Sequence, residues 1–317
     1  MINNPFALAC VVGSLLAAQV VPVPCAQAAS DGRPVPVIFD TDMSGDCDDA
    51  GSLAVLNSFM NQGEAALLAC VVNGRDQDAS SGAAIYAINA YYGRPNIPVG
   101  AYQGTATATK SPYTLAVRQK FGPDFPLDTQ LRPGVKVYRR ALAKAKHHSV
   151  VIVSVGFMQN LQDLLQSKPD KLSKLNGTDL VKDKVKELVV MGGGFPASGN
   201  GSEYNFGFGG VGPVTAYTIE NWPGRILFTG FEIGASISTG KALAATPEQN
   251  PVRFIYSLYG DHPSALEGGR PSWDITAAWL AVRGPAGVWD LVEGGYCHVL
   301  PDGHDQWMTD HVSDQAY

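Results

Sequence analysis

The stretch "VIFDTDMSGDCDDAGSLAVL", Val37 to Leu56, sets five aspartates, Asp40, Asp42, Asp46, Asp48 and Asp49, within ten residues behind a short apolar run. The run reads as a buried strand over Val35–Phe39 and the segment after the acids as a helix over Asp49–Asn61. The acidic loop is therefore the turn from a strand end into a helix start. No Lys or Arg lies within it. Carboxylates this close repel one another, and in a partly desolvated loop some take up protons unless a cation is present. Oxygen donors without His or Cys suit a hard ion, Ca²⁺ or Mg²⁺, rather than zinc.

Outward from that loop, short Val/Ile/Leu runs alternate with stretches of helical period. Strands are predicted at Val35–Phe39, Ala66–Val72, Val150–Val155, Glu187–Met191 and Ile226–Thr229. Helices are predicted at Asp49–Asn61, Ser81–Tyr92, Val135–Lys146, Gln159–Gln166 and Val214–Asn221. This alternation means a single α/β domain, Rossmann-like, with a mostly parallel central sheet flanked by helices over residues 33–317. Four irregular segments follow strands: "NGRDQD", "VGFMQN", "GGGFPASGNGSEYNFGFGG" and "GFEIG". Ligands of open α/β sheets bind beyond the carboxyl ends of the strands, so these segments and the acidic loop are expected on one rim.

The net charge of -6, with no basic cluster, argues against nucleic acid or an anionic membrane as the main partner and points to a small molecule. Residues 1–30 hold no charged side chain and carry an apolar run from Phe6 to Val21, ended by Pro22 and Pro24 and followed by Ala26-Gln27-Ala28. That pattern predicts a signal peptide over 1–28, a secreted or periplasmic product, and no stable membrane insertion after cleavage. Cys47, Cys70 and Cys297 then remain, an odd number that leaves one bridge or none open.

Three readings compete for the acidic loop. As an EF-hand, Asp40, Asp42, Ser44, Gly45, Asp46 and Asp48 would fill the early ligand positions, but Gly51 stands where a bidentate Glu is required and a strand precedes the loop. "FDTDMS" also comes close to the first motif of haloacid-dehalogenase-type phosphatases, with Asp40 as nucleophile. Ser44 departs from that motif, and no later lysine sits at a convincing strand end.

The third reading extends through the chain. "DTDMSGDCDDA" resembles the D-x-D-x-x-x-D-D-A signature of the nucleoside hydrolase family, two residues longer; "VSVGFMQNL", "VKELVVMGGGF", "GSEYNF" and "PSWDITAAWLAV" resemble its later motifs in order and rough spacing. The resemblance implies Ca²⁺-dependent hydrolysis of the N-glycosidic bond of ribonucleosides. By that resemblance the ion's ligands are Asp42, Asp49, the backbone carbonyl of Val155 and Asp274, with Asp42 the general base for the attacking water. The ribose would meet Asp48, Asn73, Asn200, Glu203 and Asn205, while Asp40 braces the loop. Asp46 competes with Asp48 for the ribose role, and Asp48 is favoured because it directly precedes Asp49. A homodimer or homotetramer is the implied assembly. Taken singly these residues have plainer readings: Asp274 can be a helix cap, and Glu203 and Asn205 ordinary loop residues.

Two departures matter. Trp273 stands where many members place the acid His, as in the purine-preferring branch, so purine nucleosides are favoured by stacking worth ~1–3 kcal/mol per base. Tyr113, Phe121 and Phe125 are candidates for the opposite face. Gly210, Val211 and Gly212 replace the usual Asp-Pro opening before Pro213. A scaffold without its proton donor leaves a rival open, a nucleoside- or sugar-binding protein with little or no catalysis.

Overall fold

The structure, a computed structural model, describes residues 32–105, 108–199, 201–260 and 263–317. The expected leader and Asn200 lie outside the described residues. Eight parallel strands form the central sheet: β1 (Val35–Thr41), β2 (Ala65–Val72), β3 (Val99–Ala101), β4 (Arg132–Pro133), β5 (Val150–Val155), β6 (Val185–Met191), β7 (Arg225–Thr229) and β8 (Gln315–Ala316). Their order is β8-β7-β6-β5-β1-β2-β3-β4. The single α/β domain expected from the alternation is therefore present. The five predicted strands agree to within two residues; β3, β4 and β8 are too short to carry a period.

Side-chain alternation sorts the sheet into two faces. Val37 and Phe39 of β1 pack in one core with Leu53 and Leu56 of α1 (Asp48–Asn61), Ile85 and Ile88 of α2 (Ser81–Tyr91) and Val117 of α3 (Thr114–Phe121). Ile38 points the other way, into a core with Val137 and Tyr138 of α4 (Gly134–Lys144), Leu161 of α5 (Gln159–Gln166), Leu180 of α6 (Gly177–Lys184) and Ile219 of α7 (Gly212–Asn221). Burial on both faces explains why β1 is continuously apolar from Val35 to Phe39 instead of alternating. On the first face α8 (Pro251–Leu258) and α9 (Trp273–Arg283) complete the layer.

Topology then fixes where a ligand can sit. From β1 the chain works outward through β2, β3 and β4, then returns to place β5 on the other side of β1. Loops leaving β1 and β5 diverge there and open a crevice at the strand ends. The acidic loop occupies that switch point, in a strand–loop–helix context that removes the EF-hand reading.

Glycines set two close approaches. A Cβ on Gly51 of α1 would lie 2.4 Å from the Tyr256 hydroxyl of α8 and 2.8 Å from Ile275 Cδ1 of α9, so the three helices meet at van der Waals distance only because no side chain intervenes. At Gly212 a Cβ would lie 2.3 Å from the Pro301 carbonyl oxygen, so the first residue of α7 packs against that carbonyl only because it has no side chain. Cys47, Cys70 and Cys297 are buried free thiols, so of the two options the odd count left, no bridge is the one found. Among the described residues no helix is long and apolar enough to cross a membrane.

Candidate active site

At the crevice the N-termini of α1 and α9 converge. The Asp274 backbone N–H donates to Asp48 Oδ2 at 3.1 Å, and the Ser52 hydroxyl donates to the Asp274 carbonyl at 3.1 Å. Asp48, Asp49 and Asp274 each turn a carboxylate oxygen inward, and these oxygens lie within 4.8 Å of one another. All three residues are buried. Two positive helix ends favour negative charge here, but a helix terminus offsets only ~0.5 of an elementary charge.

Electrostatics expose the shortfall. Burial holds the Asp48, Asp49 and Asp274 carboxyls well above the usual carboxylate range, and neighbouring charge adds to it: Asp46 on Asp48, Asp42 on Asp49, Asp48 on Asp274. Burial likewise pushes Asp42 up to about 7, with the charges of Asp46 and Asp40 pushing the same way. Three buried carboxylates whose donors among the described residues are the Asp274 N–H on Asp48 and the Thr41 hydroxyl on Asp49, with no cation paired to them, fit a hard divalent ion.

Asp42 and Val155, the other two implied ligands, line the same cavity of about 690 Å³. Gly156 makes Asp42's position possible, since a Cβ there would lie 2.7 Å from Asp42 Oδ1. Asp48 belongs to the tight carboxylate cluster, a placement the ribose assignment did not include. Asp46 lines the cavity too, but outside that cluster. Its carboxylate pairs with Arg270, whose Nε lies 3.0 Å from each oxygen, so the acidic loop does have a cation partner, drawn from 224 residues away.

Asp40 and Asn73 lie behind the cavity, not in it. Both Asp40 oxygens accept, from Asn73 Nδ2 at 2.6 Å and from the Tyr138 hydroxyl at 2.6 Å. Burial pushes this carboxyl up to about 7 despite those two donors. A carboxylate spent on two partners and shut from the cavity is not a phosphatase nucleophile; it braces the loop. Asn73 Oδ1 accepts from the Phe157 N–H at 3.0 Å, so its amide is used at both ends and faces no ligand. Here the sequence expectation for Asn73 is corrected: it leaves β2 on the side facing Asp40.

Glu203 and Asn205 do line the cavity. They anchor the glycine-rich segment after β6. Asn205 Nδ2 donates to the Met191 carbonyl at 3.1 Å, and Glu203 Oε2 accepts from the Gly193 N–H at 3.2 Å. The next two amides are held by other elements, Gly194 by Asp305 at 3.1 Å and Phe195 by Glu232 at 3.3 Å. Burial pushes Glu203 up to about 7.

The aromatic lining differs from expectation. Tyr113 is fully buried, its hydroxyl donating to the Asp46 carbonyl at 2.7 Å, while Phe121 packs on Phe254 and Phe125 on Tyr86. None of the three lines the cavity. Trp273 does, stacked on Phe231 with ring centres 5.3 Å apart and its Nε1 donating to the Phe231 carbonyl at 2.9 Å. Phe231 is 50% exposed, so the platform is a pair rather than a single indole. Tyr204, Tyr259 and Phe195 add further rings to the wall. Phe231 and Glu232 lie in the "GFEIG" segment already placed on the rim; Arg270, Tyr259 and Asp305 gave no sequence signal.

The family model described as inosine-uridine preferring nucleoside hydrolase matches residues 37–211. No curated protein matches the chain by sequence. Among solved structures, an inosine-guanosine nucleoside hydrolase aligns at TM-score 0.60 and 18% identity over 89% of this chain and 86% of its own. The type III effector protein XopQ, complexed with adenosine diphosphate ribose, aligns at 0.58 and 16% over 80% and 82%. The effector protein XOO4466 aligns at 0.60 and 15% over 89% and 88%. These structures share the fold. With the family model matched over more than half of its length, the chain belongs to the inosine-uridine preferring nucleoside hydrolase family.

Proposed function

We propose that this chain is an exported, calcium-dependent ribonucleoside N-ribohydrolase that favours purine nucleosides and releases a free base and ribose. The observation that carries the reading is the buried cluster of Asp48, Asp49 and Asp274 at the floor of a cavity whose wall bears Glu203, Asn205 and the Phe231–Trp273 pair. A calcium ion held by Asp49, Asp274, Asp42, the Val155 carbonyl and Asp48 would neutralise the cluster and orient the attacking water. Asp42 takes the proton from that water as its oxygen bonds to C1′ of the ribose. Glu203 and Asn205 receive the ribose hydroxyls, which are paired donors and acceptors and need such partners. The base lies against the Phe231–Trp273 pair, where purines gain more overlap than pyrimidines.

One observation favours the rival. No imidazole stands among the described lining residues, so a binding protein with little turnover remains a second reading. Incubating the purified chain with inosine, adenosine, guanosine and uridine, and measuring reducing sugar with and without chelator, separates the two. Ribose release from purine nucleosides that stops on chelation and returns with calcium supports the hydrolase. Binding of these nucleosides, or of adenosine diphosphate ribose, without ribose release supports the rival.

A further inference from the structure

No imidazole stands among the described residues that line the cavity, yet its wall is not without positive charge. Arg270 is the one cation among the described residues that line it. Asp46 takes two sides of its fork: Nε lies 3.0 Å from each carboxylate oxygen, and Nη2 also bonds Oδ2. The guanidinium carbon sits 4.9 Å from the centre of the Trp273 ring and 5.0 Å from that of Tyr259. Held by a carboxylate and two rings, the guanidinium has few rotamers left and costs little further ordering on binding. Its side chain is still 29% exposed, and Nη1 has no protein partner among the described residues.

Asp46 does more than hold the fork in place. Arg270 lies close enough for its charge to act on Asp48, and its pairing with Asp46 keeps the guanidinium off that carboxylate. The ion pair satisfies Arg270 at the rim and leaves the carboxylate cluster to the floor. A base resting on the Phe231–Trp273 pair would therefore share the cavity wall with a fixed donor.

We infer that Arg270 is the leaving-group residue of this site, its Nη1 edge donating hydrogen bonds to the base as the glycosidic bond breaks; this rests on the ribohydrolase reading above. In that step the water oxygen bonds to C1′ and its proton passes to Asp42. The C1′–N electron pair passes to the base, which then takes a proton from solvent. The guanidinium keeps every proton. It offsets the charge growing on the base, a task that needs a preorganised donor and no titration.

The test compares inosine with 4-nitrophenyl β-D-ribofuranoside, whose phenolate departs without help, for the unsubstituted chain, Arg270→Gln and Arg270→Lys, with calcium content measured for each. The inference expects Arg270→Gln to lower kcat/KM on inosine by ~10²-fold while the nitrophenyl riboside changes less than about fivefold, at unchanged calcium content. Arg270→Lys, which keeps the charge and loses the fork, should fall between. Equal losses on both substrates would overturn the inference and leave Arg270 as a brace for the acidic loop. Should Arg270→Gln not fold, the same comparison is read from Arg270→Lys, where a leaving-group-selective loss supports and an equal loss overturns. Ribose release from neither substrate by the unsubstituted chain would instead overturn the ribohydrolase reading, and this inference with it.

Discussion

The Asp274 N–H donates to Asp48 Oδ2 across 3.1 Å, joining the first turns of two helices 226 residues apart. Through this bond one strand-end loop and one C-terminal helix build a single carboxylate cluster. Like charges held together by the fold make the cluster costly when empty and favourable when a cation fills it.

Asp48→Asn should therefore have opposite effects in two buffers. The amide oxygen it introduces can still accept the Asp274 N–H, and the substitution removes one charge from the cluster, so melting in chelator should occur at higher temperature than for the unsubstituted chain. In calcium the order should invert. A ligand at a hundredfold excess over its Kd stabilises by ~2.7 kcal/mol, which is several degrees for a chain of this size. Parallel melts in both buffers check the inversion.

Stability should also fall with rising pH when calcium is removed. Asp40 and Asp42 are raised from 3.8 to about 7, so the folded chain binds more protons than the unfolded one between these values. Their contribution is complete below pH ~4 and lost as pH climbs through ~7. Urea melts in chelator at about pH 5 and about pH 8 should show the higher stability at the lower pH, with calcium narrowing the gap. Greater stability at about pH 8 in chelator would contradict the burial argument.

Asp42→Asn should reduce kcat by ~10²–10⁴-fold, the range for loss of a positioned general base, while ribose binding partly survives. Turnover assays with a competitive ribose-binding measurement distinguish this from loss of binding. Near-normal kcat would assign the water's proton to another group.

The aromatic pair makes a specificity prediction. Trp273→Ala and Phe231→Ala should each lower kcat/KM for inosine by roughly 5–150-fold, the equivalent of ~1–3 kcal/mol of stacking, and for uridine by much less. Kinetics on the two nucleosides measure it, and equal losses would remove stacking as the basis of purine preference.

Much of this was legible in the sequence, for physical reasons. β1 announced itself because burial on both faces demands an unbroken apolar run, whereas Asp42, Asp49 and Asp274 were singled out by the family resemblance, and the fold brings all three to one cavity. The choice between Asp46 and Asp48 was not. Two extra residues in the loop shift its register, and only the fold shows Asp46 turned to Arg270 and Asp48 turned inward. Asn73 was misread because the segment is on the rim while its side chain faces Asp40. Tyr113, Phe121 and Phe125 were misread because aromatic residues in short helices and loops carry no period that separates core from cavity.

Metal content tests the central claim most directly. Elemental analysis after dialysis against calcium should find one ion per chain in the unsubstituted protein and little or none in Asp274→Asn, whose fold is checked by circular dichroism. Equal calcium in both proteins, or none in either, would contradict a site built from Asp48, Asp49 and Asp274.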